Sequence, residues 1–191
     1  MNVLVFCGSR SGVDPTYTEL ARTVGSALST HHCGLVCGGG SVGLMGVLAS
    51  TMLKLGAPVI GVIPTFLATS EVMLADCTEL IEVPSMHIRK QVMIDRCDAI
   101  IAMPGAYGTL DELFEALTWL QLGLHDRPIG ILNHQGFYEP LIQQLDRMVE
   151  AGFLTVHNRR LVMVESQPEL LIESLLRGPT RPVSESVLKK T

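Results

Sequence analysis

A chain of 191 residues, 47% hydrophobic and 17% charged, is long enough for one domain with a filled core and too short for two ordinary ones. Its formal charge of -5 leaves no basic field of the kind that a phosphate backbone requires, so no nucleic acid is expected as a partner, whereas a single nucleotide needs only a few local donors. The high apolar share points to buried subunit surface and hence to a homo-oligomer.

In chain order, the apolar run from Met1 to Cys7 turns at Gly8 after too few residues, and without a basic leader, to be a signal peptide; it reads as a first strand. Further β-rich runs fall at 35–37, 59–63, 79–83, 99–103, 129–132 and 161–164. Helical patterns lie between them at 16–30, 43–55, 86–96, 110–122, 138–150 and 168–176. Such alternation predicts a Rossmann-like, doubly wound α/β fold: a mainly parallel sheet with helices on both faces. Residues 1–177 are read as one domain and 178–191, rich in Pro, Ser and charge, as a flexible tail.

No apolar stretch approaches the length of a bilayer span, so no membrane association is expected and the protein is placed in the cytoplasm. The five cysteines form no CxxC pair, and their odd number without a secretion signal argues for reduced thiols. Cys33 and Cys37 read as buried thiols, not metal ligands. The six histidines show no HxxxH or HExxH spacing and no serine sits in GxSxG, so neither a metal site nor a nucleophile elbow is expected.

Ligands of open parallel sheets bind beyond the carboxyl ends of the strands, where this chain carries its glycines. Cys7-Gly8-Ser9-Arg10 follows the first strand, Gly38-Gly39-Gly40-Ser41-Val42-Gly43 the second and Pro104-Gly105-Ala106-Tyr107-Gly108-Thr109 the fifth. The segment 38–43, with Gly40 and Ser41 at its centre, suits either a phosphate or ribose cradle or a plain tight turn, and matches neither GxGxxG at its usual place nor GxxxxGK[ST]. Thr109 fits as an N-cap, with Glu112 completing a capping box; in that reading Glu112 folds back onto its own helix. Glu112 and Glu115 share a helical face, which is either a solvated acidic face or part of a site needing a basic partner. Ser85 reads as the N-cap of the next basic segment, putting Arg89 and Lys90 in the first turns, where positive charge opposes the helix dipole; this favours binding over a purely surface role.

Side by side, PGAYGTLDE at 104–112 and Met86-His87-Ile88-Arg89-Lys90 resemble the PGGxGTxxE signature and M-x-x-R-K segment of the cytokinin-activating phosphoribohydrolases, the "lonely guy" family. VFCGSR, CGGGSVGLMG, GVIP and LTWLQLGLHDRPIGILN agree with it, and the resemblance runs from about residue 2 to 176. It implies a homodimeric hydrolase of the N-glycosidic bond in nucleoside 5′-monophosphates, cytokinin riboside 5′-monophosphates or AMP, with no cofactor. By matched position Arg89 and Glu112 resemble the catalytic pair. Met86, Lys90, Gly40, Ser41, Gly105, Ala106, Tyr107, Gly108, Thr109, Glu71 and Thr118 stand as substrate-binding candidates.

Ala106 departs from the signature's second glycine and Ile88 from a usual polar residue. Were position 106 to require φ > 0, alanine would cost about 1 kcal/mol. An older lysine decarboxylase label for such sequences requires a Schiff-base lysine, and among Lys54, Lys90, Lys189 and Lys190 none is convincing. The rival reading is a non-catalytic nucleotide-binding protein; a nicotinamide-dependent oxidoreductase ranks last for want of its glycine fingerprint.

Overall fold

The computed structural model describes residues 1–68 and 73–178. Along the chain run β1 (Asn2–Phe6), α1 (Pro15–Thr30), β2 (Gly34–Cys37), α2 (Gly43–Lys54), β3 (Val59–Pro64), β4 (Glu79–Val83), α3 (Met86–Asp95) and β5 (Ala99–Ala102). They are followed by α4 (Tyr107–Leu122), β6 (Ile129–Leu132), α5 (Glu139–Glu150), α6 (Val156–Arg159), β7 (Val162–Glu165) and α7 (Pro168–Leu176). The strands form one seven-stranded sheet in the order β4-β3-β2-β1-β5-β6-β7, with every neighbouring pair parallel. All seven strands fall where the sequence places them, in a doubly wound α/β fold.

β1 shows why the sheet is buried on both faces. Side chains alternate along a strand, and both sets here are apolar: Val3, Val5 and Cys7 enter one core, Leu4 and Phe6 the other. The first core is closed by α1, α2 and α7 through residues such as Leu28, Leu48 and Leu171. The second is closed by α3, α4 and α5 through Met93, Leu113 and Leu145. Each fully buried leucine of this kind contributes about 2 kcal/mol of transfer free energy.

Local signals set the helix ends. Asp14 caps α1, accepting from Thr16 N at 2.9 Å ahead of Pro15 at the first helical position. Ser85 caps α3, as the sequence predicts, through Ile88 N at 3.3 Å. α4 departs from expectation: it starts at Tyr107, capped by Ala106 with φ -113° and ψ -150° and no side-chain hydrogen bond. Thr109 is therefore inside the first turn and buried, so the expected Thr109–Glu112 capping box does not form. The extended backbone at Ala106 also removes the expected alanine penalty, since its φ is negative. The four-residue α6, begun by Thr155 accepting from Asn158 N at 3.1 Å, is too short to show a helical period in the sequence. No helix among the described residues is long and apolar enough to cross a membrane.

Strand order turns at β1, whose partners β2 and β5 lead to opposite halves of the sheet. The loops leaving these three strands are joined by backbone: Gly8 N donates to Pro104 O at 3.0 Å and Leu44 N to Gly8 O at 3.1 Å. A cleft opens at this crossover, where doubly wound sheets take ligands.

Candidate active site

The cleft holds about 230 Å³ and draws its walls from five segments. Cys7, Gly8 and Ser9 come from the end of β1; Gly38, Gly40, Val42 and Met45 from the β2 loop and α2; Ile63 and Leu67 from the end of β3. Arg89 enters from α3, and Ala106, Gly108, Thr109 and Glu112 from the start of α4.

Arg89, in the second turn of α3, is buried at 8% exposure. Its Nε donates to Val62 O at 2.9 Å and its Nη2 to Gly38 O at 2.7 Å, so two backbone carbonyls fix the guanidinium plane. Nη1 faces Met86 Sδ at 3.9 Å and Glu112 Oε1 at 3.9 Å. Burial lowers the proton affinity of the guanidinium, and the Glu112 carboxylate works against that. The surface placement that the sequence left open for Arg89 and Lys90 is overturned, since both are buried.

Glu112 lies one turn further into α4 than the loop, with its side chain 13% exposed. Burial pushes its carboxyl up to about 7, against the pull of Arg89. A carboxyl titrating near neutrality in a cleft, opposite a fixed cation, is equipped for acid–base work or for charge stabilisation. Cys7 beside it is unsuited to act as a nucleophile, because full burial drives its thiol far above the usual range.

The start of α4 supplies donors. The first N–H groups of any helix lack intrahelical acceptors, and no side chain caps these. Gly108 and Thr109 are in the cleft wall there, so the backbone and the helix dipole together suit an anion. The glycine loop after β2 serves differently. Gly38 O receives Arg89, Gly39 O receives Leu74 N at 2.9 Å, and Gly40 N meets Met45 Sδ at 3.3 Å. At Gly43 the φ of 63° and the Ser9 carbonyl carbon, 2.3 Å from where a Cβ would stand, both require glycine.

Arg89, Glu112, Gly40, Ala106, Gly108 and Thr109 thus meet in one cleft. Gly105 packs behind it, where a Cβ would stand 2.1 Å from Thr109 Oγ1. Met86 lies against Arg89, while the Tyr107 side chain points to solvent and Ser41 is exposed at the start of α2. Lys90 turns away from the cleft, placing Nζ 3.1 Å from Asp111 Oδ2 and 2.8 Å from Glu115 Oε2. Thr118 is exposed further along α4, its Oγ1 donating to Phe114 O at 2.7 Å. Glu71 lies outside the described residues. Of the other wall residues, Cys7 and Gly38 lie in the loops that the sequence marks after β1 and β2, whereas Met45, in the first turn of α2, and Ile63, near the carboxyl end of β3, carry no sequence signal beyond their position.

A family model described as "possible lysine decarboxylase" matches residues 45–175. The chain is 44% identical, over 98% of its length and 76% of the relative's, to the probable cytokinin riboside 5′-monophosphate phosphoribohydrolase LOGL2 of Oryza sativa subsp. japonica. It is 41% identical to the cytokinin riboside 5′-monophosphate phosphoribohydrolase LOG1 of Arabidopsis thaliana, over 91% of this chain and 81% of that one. Among solved structures, the molybdenum cofactor binding protein of Rippkaea orientalis superposes with a TM-score of 0.70 at 21% identity, covering 92% of this chain and 95% of that one. The molybdenum cofactor carrier protein of Chlamydomonas reinhardtii gives 0.67 at 22% identity, covering 92% and 98%. At those identities the structural likeness establishes the shared fold alone.

Proposed function

The chain belongs to the cytokinin riboside 5′-monophosphate phosphoribohydrolase family, and we propose that it hydrolyses the N-glycosidic bond of nucleoside 5′-monophosphates to free base and ribose 5-phosphate. The observation that carries this reading is the Arg89–Glu112 pair, 3.9 Å apart, in the same cleft as the uncapped start of α4.

The 5′-phosphate is assigned to the N–H groups of 105–109, with Gly40 and Ser41 at the facing rim. In this reading the ribose lies beside Glu112, which shares the cleft with Gly108 and Thr109. Departure of the base leaves positive charge on the anomeric carbon and ring oxygen, and an ionised Glu112 stabilises it as it forms. Water then adds to the anomeric carbon: its oxygen becomes the ribose hydroxyl, and its second proton balances the one taken up by the leaving base. Glu112 aligns that water. Arg89, held by Gly38 O and Val62 O, favours the ionised form of Glu112 against the effect of burial and assists the departing base.

Among the described residues, Lys90 does not support lysine decarboxylation. A Schiff-base lysine needs a readily deprotonated amine. At Lys90 burial pulls proton affinity down, but the contacts with Glu115 and Asp111 outweigh it and the net shift is upward. Lys189 and Lys190 lie outside the described residues.

The reading extends to a cytoplasmic homodimer, supported by five cysteines that are all free and by exposed apolar side chains such as Tyr107, Leu122 and Leu124. The deciding experiment incubates the purified protein with AMP and with isopentenyladenosine 5′-monophosphate and follows free base and ribose 5-phosphate by chromatography, with Glu112→Gln as control. Release of base that the control lacks is expected. Binding of nucleotide without release would instead identify a non-catalytic nucleotide-binding protein.

A further inference from the structure

Lys90 follows Arg89 in α3 yet serves a different set of partners. Its ammonium, on a side chain 9% exposed, bridges Asp111 Oδ2 at 3.1 Å and Glu115 Oε2 at 2.8 Å. These two carboxylates are four residues apart on α4, a spacing at which like charges repel, and they bracket Glu112 in the chain. A buried cation held between both carboxylates relieves that repulsion and ties α4 to α3. The adjacent Arg89 meets Glu112 from the same helix.

We propose that Lys90 is a positioning residue and not a substrate ligand: by bridging Asp111 and Glu115 it fixes the rotation of α4 that turns Glu112 toward Arg89, and it offsets the negative charge flanking that carboxylate. Its catalytic meaning rests on the hydrolase reading above; its effect on Glu112 does not. Among the described residues, the charged and titratable groups that act on Glu112 are Arg89 and Lys90 from α3, Asp111 and Glu115 from α4, and Cys7 beyond the end of β1. Cys7 is neutral, since burial holds its thiol protonated. Burial is the largest influence on Glu112; Arg89 and Lys90 favour its ionised form, and Asp111 and Glu115 oppose it. Removing the Lys90 charge therefore leaves one cation facing three carboxylates.

The test has two readouts. In protein labelled with carboxyl-13C glutamate, with the Glu112 signal assigned by its loss in Glu112→Gln, the titration midpoint of Glu112 rises by roughly one pH unit in Lys90→Met and returns toward the native value in Lys90→Arg. In steady-state hydrolysis of AMP, Lys90→Met lowers kcat at neutral pH by roughly tenfold and moves its acidic limb upward, while KM stays within about twofold. A tenfold or larger rise in KM with an unmoved midpoint would overturn the proposal and make Lys90 a substrate ligand. Should Lys90→Met not fold, the Asp111→Asn/Glu115→Gln variant carries the test: its Glu112 midpoint falls, and an unchanged midpoint counts against the proposal. Absence of base release by the native protein would sink the hydrolase reading alone, because the carboxyl titration needs no turnover.

Discussion

Arg89 and Gly38 occupy space that only one side chain can fill: Nη2 of Arg89 donates to Gly38 O at 2.7 Å, and a Cβ on residue 38 would stand 1.8 Å from that nitrogen. The glycine is required here by the approach of the guanidinium.

Gly38→Ala is therefore expected to push Arg89 from its two carbonyl partners without unfolding the chain. Turnover of AMP should fall on the order of 100-fold, as an ångström-scale misplacement of a reacting group does. Steady-state kinetics beside a thermal melt check this; undiminished turnover in a folded variant would remove Arg89 from the mechanism.

Glu112 makes stability depend on pH in a stated direction. Its native carboxyl keeps a proton up to about 7, whereas the unfolded chain releases it near 4.5, so the native state binds more protons across that window. Stability from this group is present below pH 4.5 and is lost as pH rises to 7, by about 2 to 3 kcal/mol. Urea unfolding of Glu112→Gln at pH 5 and pH 8 should show a correspondingly flatter profile than the native protein.

The role proposed for Glu112 ties activity to the same ionisation. If the carboxylate form stabilises the ribosyl cation, kcat/KM for AMP rises with pH and levels off above about 7. A rate that is constant from pH 5 to pH 8 would assign Glu112 another role.

Ala106 occupies extended backbone, so restoring the signature's glycine relieves no strain. Ala106→Gly should lower stability by about 0.5 to 1 kcal/mol through the freer unfolded chain, read as a small drop in Tm.

Ser85→Ala removes the cap of the helix that carries Arg89 and Lys90. A loss of about 1 kcal/mol is expected in denaturant unfolding, with a smaller effect on turnover than Gly38→Ala.

The sheet was legible because its strands are buried on both faces and read as short apolar runs; β1 and β5 are nearly continuous in Val, Leu, Ile and Ala. The roles of Arg89 and Glu112 come from the matched motif: helix position alone favours binding over a surface charge for Arg89, and spacing alone suits a capping box as well as a site for Glu112. The start of α4 is not where the sequence pattern puts it, because Thr109 and Glu112 satisfy the capping pattern whereas the chain turns at Ala106 with its backbone alone. That Cys7, Gly38 and Ile63 share one cleft is not legible in the sequence for another reason. Their adjacency follows from β1 lying beside both β2 and β5, and strand order is not written in the local pattern of any strand.

Among the described residues, every one that lines the cleft lies between Cys7 and Glu112, yet β5 finds its outer neighbour only in β6, where Ile100 pairs with Ile129. A nascent or proteolysed chain ending after α4 would carry every described residue that lines the cleft and still present the apolar edge of β5 as a template for pairing with another chain. Among the described residues, those after α4 add no side chain to the cleft; their part is to close that edge, which separates a finished sheet from an aggregation-prone fragment with the same cleft.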